Sequence, residues 1–340
     1  MVESLKLGVI GCGYWGPNLI RNFVEISTSE VVIVADLKEE RLAHIKASYP
    51  QIMVTKDYQD LFNQNLDAVV IATPPATHYS FAKECLEHGM HVLVEKPITI
   101  NSQHAEELIE LSKKKSLVLM VGHTFEYNAA VHTLKSLIDS GELGQIYYVD
   151  AARLNLGLFQ RNLNVLWDLA PHDISILLYI LDRVPISVNA HGMPFVFEGV
   201  QDVVYLNMVF PDNILAHVHV SWLDPCKVRR VTVVGSKKMV VYNDVESLEK
   251  IKIYDKGVEM PPYTNTFGDF QYSYRYGDVI IPNIRFTEPL RKECEHFLDC
   301  INNHIEPQSN GQDGLRVVKI IEAAQRSLSE NGKHQEVIQW

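Results

Sequence analysis

The first third of the chain alternates short apolar runs with segments of helical periodicity. Apolar runs of strand length occur at residues 7–10, 31–36, 52–54, 68–72, 91–95 and 117–121. Gly89 is expected to end one intervening helix, and Ser102 to cap the next. Strands that alternate with helices are typical of a doubly wound parallel sheet. The pattern therefore predicts an α/β domain with a doubly wound parallel sheet over residues 1–122.

After residue 122 the pattern changes to alternation with a period of two. Predicted helices cover residues 128–140, 168–181, 289–302 and 315–328. Predicted strands cover residues 145–155, 202–210, 215–223, 228–234 and 239–242. The last four strands are expected to form an antiparallel meander, and the aromatic stretch 263–284 to be irregular. We therefore expect residues 123–340 to form an α+β domain for substrate binding and oligomerisation.

Length and composition agree with two folded domains. A chain of 340 residues, 46% of them apolar, exceeds one ordinary core. The net charge of −11, with no basic stripe to offset it, argues against a nucleic-acid partner. No apolar run approaches the roughly 18 residues that a membrane span requires. The N-terminal segment also lacks the features of an export signal.

Cysteine and histidine patterns give no indication of a disulfide framework or a metal. The five cysteines are scattered and include no Cys-x-x-Cys pair, so we expect buried thiols in a reducing cytoplasm. No His-Glu-x-x-His pair, nucleophile elbow or cluster of carboxylates in the sequence points to hydrolysis or to a metal. We therefore expect neither a bound metal nor hydrolytic chemistry.

Residues 7–16, Leu-Gly-Val-Ile-Gly-Cys-Gly-Tyr-Trp-Gly, predict a phosphate cradle for a dinucleotide. Gly11 would permit the tight turn, Gly13 a close approach to the pyrophosphate, and Gly16 close packing of the following helix. Tyr14 and Trp15 are expected beside the cofactor in the same loop. The second predicted strand ends in Asp36, 20 residues after Gly16, where a carboxylate can accept the adenosine ribose hydroxyls. The alternative is a glycine-rich turn that only packs.

Polar groups also follow the fourth and fifth predicted strands, where ligands of such sheets bind. We expect these residues to contact the nicotinamide half of the cofactor: Thr73, Pro74, Pro75 and His78 after one strand, and Glu95 and Lys96 after the next. The alternative for the first group is an ordinary loop that enters a helix capped by Thr77. For Lys96 the alternative is a solvated surface lysine.

Asp168 and His172 are spaced to share one face of a helix. We expect that helix to begin near Trp167, so that Pro171 falls in its tolerant first turn. A carboxylate beside an imidazole orients the ring and raises its basicity, which suits proton transfer from a hydroxyl. The alternative is that Asp168 caps the helix and His172 has a structural role.

The glycine loop, Glu95-Lys96-Pro97 and the Asp-x-x-x-His of residues 168–172 resemble the Gfo/Idh/MocA oxidoreductases over nearly the whole chain. The resemblance implies a Rossmann domain, an open and mostly antiparallel sheet, and oxidation or reduction of sugar or cyclitol carbons with NAD(P). It further implies that Lys96 hydrogen-bonds the reacting hydroxyl, His172 is the acid/base and Asp168 orients it. Pro97, often after a cis bond, would aim the lysine.

Residues 11–18, 122–128 and 153–157 resemble one branch of that family, the nucleotide-sugar 3-dehydrogenases and 3-ketoreductases. The Ala-Pro before His172 departs from the more usual Gly-x of common members. Candidate substrate residues are Tyr127, Asn128, Arg153, Asn155 and Arg161. The guanidinium groups of the two arginines can chelate a phosphate. Tyr272, Tyr274, Arg275 and Tyr276 suggest a patch that stacks on a base or sugar, or else a strand or subunit contact.

We therefore expect an NAD-dependent dehydrogenase acting at C3 of a nucleotide-linked sugar. A cyclitol or free-sugar dehydrogenase and a non-catalytic dinucleotide sensor are the alternatives. Asp36 should favour NAD over NADP by repelling a 2′-phosphate, unless Lys38 offsets the repulsion. Lys96 and His172 would approach one hydroxyl from two domains. Apolar residues on more than one face of 215–223 further suggest a homodimer or homotetramer formed through the sheet.

Overall fold

The computed structural model describes residues 4–259 and 273–337. Its chain forms two compact units, and each is considered by itself. The first comprises Met1–Tyr127 and Thr287–Lys319, and the second comprises Asn128–Phe286 and Ile320–Trp340. The division thus differs from the predicted single boundary after residue 122, because a late segment of the chain returns to the first unit.

The first unit contains a six-stranded parallel sheet with the order β3-β2-β1-β4-β5-β6. Its strands are β1 (Leu5–Ile10), β2 (Ser29–Ala35), β3 (Met53–Thr55), β4 (Ala68–Ile71), β5 (His91–Glu95) and β6 (Leu119–Gly122). Its first four helices are α1 (Gly16–Glu25), α2 (Glu39–Ser48), α3 (His78–Glu87) and α4 (Ser102–Lys115). The predicted doubly wound sheet is confirmed, and its strand order reverses between β1 and β4.

Two helix boundaries show how local chemistry sets these elements. Gly89, with φ +84°, follows the last turn of α3 as predicted. The cap of α4 is Asn101 rather than Ser102, since the Asn101 side chain accepts hydrogen bonds from the N–H groups of Gln103 and His104. Thr77 precedes α3, but its hydroxyl bonds Thr73 Oγ1 and the Pro74 carbonyl instead of capping the helix.

Helix α7 (Pro289–Asn303) is the segment that returns to the first unit. Its buried apolar face includes Leu290, Cys294 and Phe297, which belong to the same core as α1. The ring of Phe297 meets Phe23 edge to face, with centroids 6.3 Å apart. Burial of this face explains why a helix far along the sequence completes the nucleotide-binding unit.

The second unit is built on a nine-stranded sheet with the order β14-β13-β12-β11-β7-β10-β9-β8-β15. Its strands are β7 (Ile146–Leu154), β8 (Ser187–Met193), β9 (Val203–Val209), β10 (Leu215–Ser221), β11 (Val228–Gly235), β12 (Met239–Asn243), β13 (Ile251–Glu259), β14 (Ser273–Ile280) and β15 (Gln335–Glu336). Its helices include α5 (Ala129–Asp139) and α6 (Val165–Leu181). The last helix, α8 (Gly311–Ser329), has residues 311–319 in the first unit and residues 320–329 in the second.

The predicted meander is interrupted by the earlier strand β7. This strand lies between β10 and β11, parallel to the former and antiparallel to the latter. Hydrophobic alternation predicts each strand but carries no information about which partner it takes, so the insertion was missed. Strands β8, β13, β14 and β15 were also missed. Strand β14 falls within the stretch expected to be irregular, of which residues 263–272 lie outside the described residues.

The nine-stranded sheet has one covered face and one open face. Helices α5 and α6 pack on the covered face, where alternate residues such as Val218 and Leu206 are buried. On the open face the register places Tyr148 beside Leu215, and Leu215 beside Val209, all of them exposed. A row of exposed apolar side chains across three strands is a candidate contact surface.

Candidate active site

The turn between β1 and α1 has the backbone that a phosphate cradle requires. Gly11 has φ +95°, and a Cβ there would lie 2.6 Å from the Ala72 carbonyl oxygen. A Cβ on Gly16 would collide with the Gly11 carbonyl oxygen. Side chains at these two positions would block the turn, so the glycines allow α1 to start directly behind the loop. The N–H groups at the N-terminus of α1 then lie at the end of the glycine loop, as in helices that bind anions.

Asp36 directly follows β2, as predicted, and its carboxylate closes this loop. Its Oδ2 accepts from the Cys12 N–H at 2.9 Å, and its Oδ1 accepts from the Lys38 N–H at 2.9 Å. Burial alone would raise the pKa of Asp36, but these N–H groups and the Arg41 guanidinium outweigh it and lower that pKa. Asp36 therefore stays ionised beside the glycine loop.

Lys38 was expected to be the basic residue beside Asp36, and Arg41 was not predicted from the sequence. Its Nη1 lies 3.2 Å from Asp36 Oδ2, and it also faces Gly13, where a Cβ would lie 3.2 Å from that nitrogen. Lys38 contributes its backbone N–H to Asp36. The basic group next to the predicted ribose site is therefore an arginine on the first turn of α2.

These residues fit a dinucleotide. The glycine turn and the start of α1 would hold its pyrophosphate, and Asp36 would accept its adenosine ribose hydroxyls. Tyr14 is highly exposed, and Trp15 immediately precedes α1.

The His78 side chain contacts the backbone of both the loop after β4 and the loop after β5. Its ring is buried, with Nδ1 2.8 Å from the Pro97 carbonyl oxygen and Nε2 2.8 Å from the Thr73 carbonyl oxygen. Burial lowers the pKa of His78, against the opposite effect of these two contacts. The ring thus ties the Thr73-Pro74-Pro75 turn to the cis Lys96–Pro97 peptide. These contacts give His78 a scaffolding role, and its expected contact with the cofactor stays a prediction.

Glu95, at the end of β5, has an unusual environment for a carboxylate. It pairs with Gly122 across the sheet, and a Cβ on Gly122 would lie 3.0 Å from Glu95 Oε1. That oxygen is buried and has no hydrogen-bond partner among the described residues. Burial raises the pKa of Glu95 from 4.5 to about 7, although the Lys96 ammonium, the Lys96 N–H and Trp15 oppose this rise.

Two further buried groups near Glu95 were not predicted from the sequence. His123 follows β6, and Glu293 lies on α7. In the described part of the chain, neither ring nitrogen of His123 has a hydrogen-bond partner, and the Glu293 carboxyl is completely buried. Burial, with a smaller effect of the Lys96 ammonium, lowers the pKa of His123 to about 3. Burial and then the Glu95 carboxylate raise the pKa of Glu293 well above 4.5.

In the second unit, helix α6 begins earlier than the sequence suggested. It starts at Val165, and the Asn164 side chain caps it by accepting from the Trp167 N–H at 3.2 Å. Pro171 therefore lies inside the helix and not in its first turn, which corrects the prediction. Since Asn164 is the cap, the alternative in which Asp168 caps the helix is wrong.

Asp168 is instead held by an aromatic side chain from the end of β10. The indole Nε1–H of Trp222 donates to Asp168 Oδ2 at 2.9 Å, and Trp222 is only 1% exposed. His172 follows one turn later on α6 and is half-buried. Asp168 and His172 thus lie on one helix, and Trp222 anchors the Asp168 carboxylate to the sheet. This arrangement suits a carboxylate that orients a catalytic base. No pattern in the sequence predicted the contact of Trp222 with Asp168.

Arg153 is not available as the predicted phosphate ligand. Its guanidinium forms a bidentate pair with Asp173, at 2.7 and 3.0 Å, with side chains 5% and 2% exposed. A buried pair of this kind is costly to break, because the remaining charge would lack compensation. Arg153 therefore joins β7 to α6.

Other predicted substrate residues also have internal partners. The Tyr127 hydroxyl lies 3.0 Å from Ser309 Oγ in the core of the first unit. Asn128 caps α5 through the Ala130 N–H and donates to the Tyr242 hydroxyl. The Asn155 N–H donates to the Ser221 carbonyl. These side-chain contacts favour structural roles for Tyr127 and Asn128. The bond of Asn155 is made by its backbone, so the substrate role of its side chain stays a prediction.

The remaining candidates lie on the surface of the second unit. Arg161 is exposed and lies over the Phe197 ring, 5.0 Å from its centroid. Tyr274 and Tyr276 are exposed and stack on each other, and Arg275 pairs with Asp255 at 2.8 Å. This arrangement on β14 is compatible both with stacking on a base or sugar and with a strand or subunit contact. Tyr272 lies outside the described residues.

The described residues contain no group of three His, Cys, Asp or Glu side chains that could hold a metal ion. Within the same residues, no helix has the length and apolarity to cross a bilayer. Four of the five cysteines are buried as expected, but Cys226 is exposed.

The buried Glu293 carboxyl generates a prediction about stability and pH. Folded Glu293 keeps its proton above pH 4.5, whereas the unfolded side chain releases it, so the wild-type chain loses stability as pH rises. Glu293→Gln removes this loss. The thermal midpoint of Glu293→Gln should therefore rise relative to that of the wild type as the pH increases above about 4.5.

Glu295→Gln on the same helix is the control for the Glu293 variant. Arg291 and then Lys292 lower the pKa of Glu295, so that substitution should give no gain at high pH. Scanning calorimetry at several pH values is the measurement. An unchanged difference between Glu293→Gln and wild type across this range would contradict a protonated, buried Glu293.

Two family models match the chain. One, described as an oxidoreductase family with an NAD-binding Rossmann fold, matches residues 5–123, and the other, the GFO/IDH/MocA C-terminal domain, matches residues 131–241. The chain is 26% identical over 321 residues to the UDP-N-acetylglucosamine 3-dehydrogenase of Acidithiobacillus ferrooxidans, covering 92% of this chain and 94% of the other. It is 24% identical over 342 residues to the myo-inositol 2-dehydrogenase of Thermotoga maritima, covering 96% and 97%.

Solved structures agree on the fold. The Acidithiobacillus ferrooxidans enzyme matches with a TM-score of 0.78 at 24% identity, over 96% of this chain and 98% of the other. GenD2 of gentamicin A biosynthesis, crystallised with NAD, matches with a TM-score of 0.84 at 22% identity, over 100% and 98%. With the two family models and both sheets in agreement, the chain belongs to the GFO/IDH/MocA family and is an NAD-dependent oxidoreductase.

Proposed function

We propose that this oxidoreductase transfers hydride between nicotinamide and a sugar ring carbon, and that the carbon is C3 of a nucleotide-linked sugar. The observation that carries the proposal is the anchored Asp168, bonded by Trp222 and freed from capping by Asn164, one turn before His172 on α6. This is the arrangement expected for an oriented general base. The relative that acts as a UDP-N-acetylglucosamine 3-dehydrogenase supports the substrate class.

NAD, when bound, supplies the hydride acceptor. His172, as a neutral imidazole oriented by Asp168, removes the proton of the substrate hydroxyl. The Lys96 ammonium stabilises the negative charge that develops on the oxygen. In reduction the same groups act in reverse, with His172 returning the proton.

The myo-inositol 2-dehydrogenase similarity favours a cyclitol or free sugar as the second candidate substrate. Reduction of NAD with a panel of UDP-sugars, dTDP-sugars, free hexoses and myo-inositol separates the candidates. Turnover of the nucleotide sugars alone supports the proposal, and turnover of inositol alone supports the second candidate. Binding of NADH without turnover of any member would indicate a non-catalytic sensor.

Lys96→Met and His172→Ala should each slow hydride transfer by at least about 10²-fold, the range lost with a general acid or base. Lys96→Arg should rescue little, because the guanidinium is larger and differently aimed. If both groups serve one step, the double variant should lose less than the product of the single losses. Single-turnover rates are the measurement.

Two exposed residues of the same types serve as controls. Lys56→Met and His44→Ala change side chains on the surface of the first unit and should leave the rate unchanged. NADH affinity should remain near wild type in the Lys96 and His172 variants. Near-wild-type turnover in either of those variants would remove its residue from the mechanism.

Asp36 should make NADH bind more tightly than NADPH. Two unit charges 4 Å apart cost about 4 kcal/mol at an effective dielectric of about 20, and Arg41 offsets part of this repulsion of a 2′-phosphate. Asp36→Asn should therefore reduce the ratio of the NADPH to the NADH dissociation constant, and Arg41→Ala should increase that ratio. The dissociation constants of both cofactors give the comparison, and equal values for the wild-type protein would refute this role of Asp36.

We also propose self-association through the open face of the nine-stranded sheet, as a homodimer or homotetramer. The exposed row of Tyr148, Leu215 and Val209 supports it, since such a patch gains by being covered. Leu215→Asp should shift the mass measured by light scattering toward the monomer. A monomeric mass for the wild-type chain at micromolar concentration would rule the proposal out.

We propose a cytoplasmic location on the chemistry of the thiols. All five cysteines are free, and four of them are buried, which suits a reducing compartment.

A further inference from the structure

A continuous row of side chains in the second unit runs from the surface to Asp168. The Arg161 guanidinium carbon lies 5.0 Å from the Phe197 ring centroid. Phe197 meets Phe159 nearly perpendicularly at 6.3 Å, and Phe159 meets Trp222 at 5.7 Å. Trp222 then donates its indole N–H to Asp168 at 2.9 Å. One end of this aromatic row is therefore a cation, and the other is the carboxylate assigned to the reaction.

Backbone hydrogen bonds fix the inner end of the row. The Gly157 N–H donates to the Trp222 carbonyl at 2.9 Å, and the Trp222 N–H donates to the Asp202 carbonyl at 2.9 Å. A Cβ on Gly157 would lie 3.0 Å from Trp222 Cδ1, so a larger residue would press on the indole. Trp222 is consequently locked between the segment after β7 and the segment before β9.

The segment before β9 is anchored by a buried carboxylate. Asp202 Oδ2 accepts from the N–H groups of Phe195 and Val196, at 2.9 and 2.8 Å. These bonds tether the loop that carries Phe197. The aromatic row is thus built from three parts of the chain, each attached to the sheet or to its neighbour.

Arg161 differs from Arg153 and Arg183 in its partner. Arg153 pairs with Asp173, and Arg183 pairs with Asp212. Arg161 is exposed, and no carboxylate of the described residues lies within ion-pair distance of it. A guanidinium held over a ring keeps its planar set of donors available, and that set matches the oxygens of a phosphate.

We propose that this row is a substrate subsite, in which Arg161 binds a phosphate attached to the sugar and the rings of Phe159 and Phe197 contact its apolar surface. The inference rests on the proposed function and narrows it to sugars that carry an anomeric phosphate or diphosphate. A neutral cyclitol offers nothing for Arg161 to bind. The fixed row sets how far the phosphate lies from the carbon that Asp168 and His172 serve.

The test compares Arg161→Gln with Arg183→Gln, an exposed arginine outside the row. For a UDP-sugar, Arg161→Gln should raise KM by about 10-fold or more and change kcat little, because a charged hydrogen bond made in both ground and transition states is lost. A sugar 1-phosphate should show the same dependence if the phosphate next to the sugar is bound. Arg183→Gln should match wild type for both substrates.

Trp222→Phe separates the two ends of the row. It keeps an aromatic ring but removes the N–H that holds Asp168, so kcat should fall and its pH profile should shift, while KM for the UDP-sugar stays near wild type. A Trp222→Phe protein that alters KM alone would overturn the assignment of Trp222 to the catalytic end.

Binding of UDP, measured by calorimetry with the cofactor site saturated by NADH, separates failure of the inference from failure of the proposed function. Arg161-dependent UDP binding without turnover of any sugar would retain the subsite and refute the dehydrogenase assignment. An equal KM or dissociation constant in Arg161→Gln and wild type would overturn the subsite. Absence of UDP binding to the wild-type protein would overturn it as well.

Discussion

The close approach of two backbones at the switch point of the first sheet is the constraint on which the nucleotide-binding unit depends. Where β1 ends, Gly11 passes so near the Ala72 carbonyl after β4 that no side chain fits between them. This contact lets the chain turn back at once into α1, and the parallel pairing of the strands places the loops after β4 and β5 at the same edge. Asp36 then holds the glycine loop, and the buried His78 ring ties the loops after β4 and β5 to each other. The site is therefore organised by backbone geometry, with side chains tying it together.

Most of the first sheet could be predicted because parallel strands covered on both faces appear as continuous apolar runs. Strand β5 matches its predicted bounds, and Asp36 follows β2 as expected. The Gly loop, Lys96 and the Asp168–His172 spacing are short local patterns, so the sequence displays them directly. The start of α6 was placed too late, because the capping Asn164 precedes the apolar pattern that marked the helix.

Pairs that are distant in the sequence were not predictable. Glu293 approaches the Glu95 region only because α7 packs into the first core, and Trp222 reaches Asp168 only because α6 packs on β10. Arg153 looked like a phosphate ligand since nothing local indicates its partner Asp173. In each case a residue's chemistry was visible in the sequence, but its neighbour was set by tertiary packing.

The return of α7 to the first unit affects how the protein is made. Protein synthesis delivers the chain from its N-terminus, and domains commonly fold as they emerge. Here the apolar face that receives Phe297 stays uncovered until residues 287–319 have been made, after the strands of the second unit up to β14. The nucleotide-binding unit is thus finished late in translation, and the second sheet has its chance to assemble first. A ribosome that stalls after residue 127 would release a fragment with that core still open to water.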